Sequence, residues 1–459
     1  LLLRDVRFVV DSIGERIDSF HIGARFRPVA NRLVLRSDFM RGFLRGRFSY
    51  PEILTQIRGF VGSYFTPNGS SEVPRDTFDD RLVLSLEFFR PEILTSGLIP
   101  GLRELSPTVI SGTYLGERKV LSLATVVPRL NYRDIVFDSL DLEVLIREDT
   151  FSYDMGFRRV NAFDQFQAVN FRVQGQARDG EIVNTLVQRN EQGDKRFDLR
   201  ATFTRQRGRL HIHFAPEALL NYQTWQIFEA NRIVLGRDTL AVENWRLQRG
   251  DDVLQLSDRE GRHLLADFRR FDLQLLSNTL SYENDYLGGT LDGQVRMYDL
   301  LSDLRLGADF RIDSLEVLGA RLGDFTVDLE QDQPNYWEGR LAFQGSGHDI
   351  ALDAVYRQQE PAPFVDVNLD ANSIDLASLA PMLEGYVKDM KGFLRGQIDI
   401  EGGLNDPDIT GSLAFSQAEL RLTELGALWR LDDQPISFRT ITQDGQTFSA
   451  ANLSEFTML

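Results

Sequence analysis

Apolar and polar residues alternate along most of this 459-residue chain. Every second residue is apolar in RLVLSLEF, residues 81–88, and in SLDLEVLI, residues 139–146. The densest run is ADFRIDSLEVLGARLGDFTVDLE, residues 308–330. Because consecutive side chains of a strand point to opposite faces, this alternation predicts strands with one apolar and one polar face. Glycines or short polar pairs separate the runs, which favours antiparallel hairpins and an all-β fold.

Helical periodicity is confined to short segments. Residues 374–392, IDLASLAPMLEGYVKDMKG, have apolar residues at helical intervals, and Pro381 is expected to divide this helix. Pro-Glu pairs, which suit the first turn of a helix, begin PEILT at 51–55 and at 91–95, and PEALL at 216–220. We therefore predict a few short helices that punctuate a long sheet.

One glycine-containing segment occurs three times. MRGFLRGRF at 40–48 returns as MKGFLRGQI at 390–398 and, in a divergent form, as LGGTLDGQVRM at 287–297. The third copy has Asp292 where the others have Arg45 and Arg395, which argues against a phosphate-binding loop. Glycine inside a strand is typical of a bend, a bulge or a close backbone approach. The repeat therefore predicts an architectural element at which new units of the sheet begin.

Composition narrows the possible functions. The 68 acidic residues outnumber the 51 basic ones, and the net charge of −17 opposes binding to nucleic acid. Without cysteine the chain has no disulfide, thiolate zinc site or cysteine nucleophile. The sequence contains no window of about 18 apolar residues, so it predicts no membrane-spanning helix. The sequence begins without methionine, so we expect a segment of a longer protein whose anchor lies elsewhere.

Candidate chemistry is sparse. His211 and His213 share a strand face, but no third metal ligand is evident near them in the sequence. The other histidines are expected to be solvated or capping residues: His21, His263 and His348. Adjacent aspartates, as at 251–252, point to opposite faces of a strand. With no serine elbow or Walker loop in the sequence, we predict no enzyme activity, catalytic residue, metal site or cofactor.

A family resemblance is carried by GFLRGQIDIEGGLNDPDITGSLAFSQAEL, residues 392–420. This run resembles the repeat signature of the TamB family, the inner-membrane component of the bacterial translocation and assembly module, which is grouped with AsmA-like proteins and repeating β-groove lipid carriers. The best match covers residues 364–438. The resemblance implies a long curved antiparallel sheet, folded as a β-taco around a continuous apolar groove. Residues 1–459 would form one elongated segment with approximate sub-repeats at 1–75, 76–195, 196–280, 281–360 and 361–459.

The resemblance also implies a function in the envelope of a Gram-negative bacterium. The chain would span the periplasm and carry phospholipid passively between the inner and outer membranes, in support of outer-membrane biogenesis. The alternative is a scaffold for the assembly and secretion of outer-membrane barrel proteins with a BamA- or TamA-like partner, which would bind outside this segment. A third hypothesis is an extracellular β-sandwich array that binds carbohydrate.

The apolar strand faces are the candidate lining of the groove, where phospholipid acyl chains would lie. The candidates are Leu84, Leu86, Leu142, Val144, Ile212, Phe310, Ile312, Val327, Leu394, Ile398, Leu413 and Phe415. Sequence alone leaves open whether such residues meet lipid or the side chains of a second sheet, because area burial and dispersion favour both equally.

Overall fold

A computed structural model of the chain describes most of its residues. They are 2–10, 13–25, 27, 31–47, 61–62, 64, 81–91, 93–94, 99, 101–115, 118, 120–147, 150–162, 166–237, 239–259, 263–275, 287–300, 304–359, 362–383, 385–404, 406–423, 428–431, 435–443, 446–452 and 456–458.

The chain divides into two compact units. The first contains Leu1–Glu229 and Leu280–Tyr282, and the second contains Ala230–Thr279 and Glu283–Leu459. The described part of each unit consists mainly of antiparallel strands. The predicted fold class, an all-β chain with a long curved antiparallel sheet and few short helices, is therefore confirmed. The boundaries of the sub-repeats stay a prediction.

The first unit is built from successive hairpins. Its strands are β1 (Leu2–Val10), β2 (Ile13–Arg25), β3 (Asn31–Ser37), β4 (Met40–Gly46), β5 (Arg81–Phe88), β6 (Leu102–Leu105), β7 (Thr108–Leu115), β8 (Val120–Tyr132), β9 (Ile135–Arg147), β10 (Thr150–Ala162), β11 (Phe166–Arg178), β12 (Glu181–Arg189), β13 (Lys195–Gln206), β14 (Arg209–Phe214), β15 (Glu217–Leu220) and β16 (Gln223–Ile227). Strands β1 to β5 pair in order, β5 pairs with β7, and β7 to β14 again pair in order.

The second unit follows the same plan. Its strands are β17 (Arg232–Leu235), β18 (Leu240–Glu243), β19 (Trp245–Arg249), β20 (Asp252–Arg259), β21 (His263–Asp272), β22 (Leu287–Tyr298), β23 (Arg305–Val317), β24 (Ala320–Gln333), β25 (Tyr336–Gly345), β26 (His348–Arg357), β27 (Phe364–Asp375), β28 (Val387–Gly403), β29 (Asp406–Leu422), β30 (Leu428–Leu431), β31 (Pro435–Gln443), β32 (Gln446–Asn452) and β33 (Phe456–Met458). Strands β19 to β29 pair antiparallel in order. Between β27 and β28 lie helix α1 (Leu376–Leu379) and a 3₁₀ turn (Ala380–Leu383).

Strand register aligns the apolar positions of neighbouring strands into rows. One row of the second unit consists of Gly293, Phe310, Val327, Leu341, Leu352, Leu369, Ile398 and Gly411. The adjacent row on the opposite face consists of Gln294, Asp309, Asp328, Arg340, Asp353, Asn368, Asp399 and Thr410. This sheet therefore has one apolar and one polar face, as the alternation predicts.

The first unit has the same two-faced arrangement. An apolar row there consists of Leu82, Tyr114, Leu121, Ile146, Phe151, Ala177, Ile182, Phe203 and Ile212. The row directly beside it on the other face is mainly polar, with Thr113, Ser122 and Ser152, but it also contains Val83, Leu145 and Val183. In both units the apolar face results from strict alternation and a register that keeps strands in step.

The repeated glycines mark bulges and close backbone approaches, as their position in strands predicts. Gly392 has a φ of 93° and lies where the register between β28 and β29 shifts. A Cβ atom at Gly392 would be only 2.5 Å from the carbonyl oxygen of Gln417. Gly289, at the same place in the third copy, has a φ of 122° and lies at a register shift between β22 and β23. These bulges bend the strands that carry them.

Two helix predictions need correction. The helix predicted over 374–392 is limited to α1 and the 3₁₀ turn, and its last part forms the start of β28. There, Val387 and Met390 pair with Leu422 and Leu420 of β29, so sheet pairing extends further than the helical spacing suggested. PEALL at 216–220 is also not helical, because Glu217–Leu220 forms β15 and pairs with β16.

Of the other two Pro-Glu segments, only the second contains residues that the structure describes. PEILT at 51–55 lies outside the described residues. In PEILT at 91–95, the described Ile93 and Leu94 are helical, as predicted. Ile93 is buried and packs in a cluster with Ile17 and Phe39, so this short turn fixes one end of the first unit's sheet.

The bulge predicts that Gly392→Ala destabilises the second unit. Alanine at a positive φ costs about 1–2 kcal/mol, and the contact with the Gln417 carbonyl adds to that loss. Gly403→Ala is the matched control, since a Cβ there meets nothing within 4 Å at the end of the same strand. Urea denaturation of both variants checks the difference, and equal effects would contradict this role of Gly392.

Candidate functional site

The apolar face of the second unit keeps part of its surface accessible. Phe310, Leu341, Leu352, Leu369 and Ile398 are each half-buried, although they lie in the middle of their strands. On the polar face, the neighbouring positions are exposed: Asp309, Asp328, Arg340, Asp353 and Asp399. Half-buried apolar side chains in one continuous row form an apolar surface that can still receive a ligand.

A cavity of about 500 Å³ indents this apolar face. It is lined by Val327, Asp328, Leu329, Trp337, Gly339, Leu341, Ala354 and Tyr356. Gly339 and Ala354 pair across β25 and β26, so two small residues lie between the larger ones of this lining. A Cβ on Gly339 would lie 3.0 Å from Leu329 Cδ1, so a side chain there would press against Leu329. The indentation can hold a slender apolar group.

A polar pair, Tyr153 and Asn184, lies within the apolar face of the first unit. The Tyr153 hydroxyl donates a hydrogen bond to Asn184 Oδ1 across the face. The Tyr153 ring lies over Gly175, where a Cβ atom would overlap it. Burial raises the pKa of the Tyr153 phenol. Because both polar groups satisfy each other, the surrounding face stays apolar.

Short connecting segments cover one end of each apolar face. In the first unit, Tyr64 packs on Leu82, Tyr114, Ile146 and Phe151. The backbone N–H of Gly180 donates to the Tyr64 carbonyl at 3.2 Å and fixes this contact.

In the second unit, Leu376 of α1 packs with Ala418 and Leu431, and Leu394 and Phe415 pack against this cluster. Helix α1 therefore covers this part of the second unit's apolar face, whereas the row from Phe310 to Ile398 lies outside the cluster.

His348 anchors α1 to the sheet. Asp375 caps the helix by accepting a hydrogen bond from the Ala377 N–H at 3.0 Å. His348 Nε2 lies 2.6 Å from Ser378 Oγ in the same helix. His348 is only 4% exposed, so the prediction of a solvated or capping residue is wrong. Burial lowers the pKa of His348, and the nearby Asp375 carboxylate opposes this shift.

All twelve residues predicted to line a groove lie on an apolar face. Leu84, Leu86, Leu142, Val144 and Ile212 share rows of the first unit, and the other seven share rows of the second. Leu394 and Phe415 lie at the covered end, beside α1, so a charge at Phe415 would disturb packing as well as the surface. Contact with lipid stays a prediction for all twelve.

The sequence interpretation missed several residues of the same face. They are Trp337, Gly339, Leu341, Leu352, Ala354, Tyr356 and Leu369. Their signal is the same alternation in YWEGRLAFQG, HDIALDAVYR and FVDVNLDANSID, which follow the run that ends at residue 330. The indentation itself was not predictable, because it requires the register that places Gly339 beside Ala354.

Other candidate chemistry has ordinary explanations. His213 Nε2 lies 2.8 Å from the Glu229 carbonyl oxygen, which gives this histidine a backbone partner. Within the described ranges, no group of three or more His, Asp or Glu residues is arranged to hold a metal ion. Nor does the described part of the chain contain a helix long and apolar enough to cross a membrane.

Comparison of the chain with protein-family models, curated proteins and solved structures gave no significant match. The features that bear on function are the two apolar faces, the largely half-buried row of the second unit and the indentation in the same unit. These features favour a binding surface for an apolar ligand.

The burial of His348 predicts a pH-dependent stability. Because the folded-state pKa is lowered, the unfolded chain binds the proton first, and stability is lost as the pH falls below about 6.5. His348→Asn removes this titration while an amide can still bond Ser378. Thermal unfolding between about pH 8 and pH 5 should give a flatter pH dependence for the variant. Parallel curves for the two proteins would contradict the assignment.

Proposed function

We propose that the apolar faces of this chain bind the acyl chains of phospholipids and let them move along the protein through water. The single observation that carries this proposal is the apolar row from Phe310 to Ile398, which is half-buried at every position except the buried Val327. A row of exposed polar residues lies beside it on the opposite face. Such a surface is rare on a soluble protein unless something covers it.

Exposing a lipid tail to water costs free energy. Burying one methylene group of the tail against an apolar surface is favourable by about 0.8 kcal/mol. A row of similar side chains, repeated strand after strand, offers nearly equal contacts at each step. A ligand would therefore be held strongly overall while it meets only small barriers between neighbouring positions. Such transport is passive and requires no catalytic residue.

The wider proposal follows the resemblance of residues 392–420 to the TamB family. The chain would be part of a bridge in the periplasm of a Gram-negative bacterium, along which phospholipid passes between the inner and outer membranes. The polar face supports this proposal, since its exposed charges, most of them acidic, keep that side of the sheet in water. Assembly of barrel proteins with a BamA- or TamA-like partner stays the alternative.

Photo-crosslinking in cells tests the proposal at matched positions. A photoreactive amino acid at Leu352 or Leu413 should capture phospholipid, because both side chains lie on the apolar face. The same amino acid at Asp353 or Ser412 should capture little, because these neighbours are exposed on the other face. Lipid extraction and mass spectrometry of the crosslinked protein provide the measurement.

Two outcomes would count against lipid passage. Equal capture at both members of each pair would mean that lipid does not use the apolar face. Capture of an outer-membrane barrel protein at Leu352 and Leu413, without lipid, would favour the alternative role in barrel assembly.

A further inference from the structure

The polar pair of the first unit lies in one row of its apolar face. Tyr153 of β10 and Asn184 of β12 both pair with Gly175 of β11, and the Tyr153 ring covers this glycine to reach the amide. The register places Val144 of β9 and Ala201 of β13 at the two sides of the pair. The pair is therefore flanked by apolar or small residues within its own row.

The rows on either side of the pair differ in accessibility. On one side lies the cluster under Tyr64, in which Phe151 and Ala177 are buried and against which Tyr153 packs. The row on the other side consists of half-buried residues, which are Leu142, Met155, Val173, Leu186 and Leu199. The pair therefore lies at the border between a covered and an accessible part of the apolar face.

The hydrogen bond within the pair leaves a donor group available. It uses the hydroxyl hydrogen of Tyr153 and the oxygen of the Asn184 amide. The amide nitrogen carries two N–H donors, and no described residue accepts a hydrogen bond from them. Because Tyr153 holds the oxygen, it also fixes the direction in which these N–H groups point. An unpaired donor on an apolar surface costs free energy, which an acceptor on a ligand would recover.

The surroundings of the pair select against a charged acceptor. Among the described positions from β9 to β13, the row of the pair and the two rows beside it contain no charged residue. The phenol also stays neutral, since burial raises the pKa of Tyr153. A carboxylate or phosphate moved onto this face would lose hydration without gaining a counter-charge. An uncharged oxygen acceptor avoids this penalty.

Charged side chains of the same strands lie on the opposite face. Thr185, which follows the asparagine in β12, accepts a hydrogen bond from Arg200 at 3.3 Å. Asp154, which follows the tyrosine in β10, accepts one from Arg172. Because adjacent residues of a strand point to opposite faces, the sheet separates these groups from the pair.

We propose that the amide N–H of Asn184 binds the ester carbonyl oxygen of an acyl lipid whose chain lies along the half-buried row from Leu142 to Leu199. This inference rests on the proposed function, because it requires the apolar face to hold the chain. Alternate residues of a strand are about 6.7 Å apart, so a chain over this row lies directly beside the pair. Tyr153 acts as a positioning residue that orients the amide. Chain and carbonyl would thus bind on one face, with a preference for ester-linked lipids.

Photo-crosslinking at Leu186 tests the site with two lysolipids that differ in one carbonyl group. Leu186 lies two residues from Asn184 on the same face, so a photoreactive leucine analogue there reports a lipid beside the pair. The probes are 1-acyl lysophosphatidylcholine and its 1-alkyl ether, with equal chain lengths and below the concentrations at which they form micelles. Intact mass spectrometry gives the concentration of half-maximal capture. We expect it to be about fivefold lower for the ester, the scale of one neutral hydrogen bond.

The double variant Tyr153→Phe, Asn184→Leu removes both polar groups and keeps their approximate shape. Replacing both partners of a hydrogen bond by apolar groups of similar shape can be nearly neutral for stability. The variant should capture the ether at least as well as the unaltered protein, which verifies the fold. It should capture the ester no better than the ether. An ester preference that persists in this variant would overturn the site.

Two controls address the face and the charge. Thr185→Val removes a polar group from the opposite face, next to Asn184 in the chain, and should keep the full ester preference. Loss of the preference there would mean that any change in β12 abolishes it, which would overturn the assignment to Asn184. A fatty acid at about pH 8 should be captured less than its own methyl ester, because its carboxylate is charged. Stronger capture of the acid would contradict an uncharged acceptor.

The remaining outcomes separate this inference from the proposed function. If the unaltered protein captures ester and ether equally, the carbonyl site is wrong and the proposed function stands. If neither lysolipid is captured at Leu186, the apolar face of the first unit does not hold acyl chains. The carbonyl site and the proposed function of this face would then both be wrong.

Discussion

Cross-strand register is the constraint on which the structure depends. A strand shows its apolar residues on one face only while the alternation is unbroken, and a slip of one residue would turn the whole set to the other face. In the second unit the row from Phe310 to Ile398 continues across all the strands from β23 to β28. Where the chain must bend, Gly289 and Gly392 absorb the change in bulges near strand ends.

The apolar rows are only partly buried because few residues of the connecting segments pack over them. Tyr64 in the first unit and Leu376 of α1 in the second cover part of each face and bury the residues below them. In the second unit, most side chains of the row from Phe310 to Ile398 keep apolar area accessible. The polar face carries cross-strand ion pairs such as Arg340 with Asp353, so that side is stable in water. Each pair is exposed and contributes little to stability, but together these charges determine which face of the sheet contacts water.

Much of this fold was predictable from the sequence because alternation is a local signal. It placed all twelve candidate residues on apolar faces, and the repeated glycines were correctly interpreted as strand features. The helix predicted from the Pro-Glu pair at 216–217 was wrong, because tertiary pairing overrides this local preference and Glu217–Leu220 forms a strand. The burial of His348 was not predictable either, because it depends on α1 packing over a turn distant in the sequence.

The polar pair of the first unit shows the same limit. Nothing in the sequence places Tyr153 and Asn184 together, since their contact depends on the register of three strands. Register also places Gly339 beside Ala354 and so produces the indentation. Alternation therefore predicts that an apolar surface exists. The shape of this surface follows only from how the strands pair.

The central claim is that the apolar faces hold lipid, and native mass spectrometry of the purified chain tests it most directly. The account predicts protein ions that carry additional masses equal to those of phospholipids, and release of the same phospholipids on extraction with organic solvent. A chain purified gently from a lipid-rich membrane extract that shows only its own mass, with no lipid in the extract, would contradict the account.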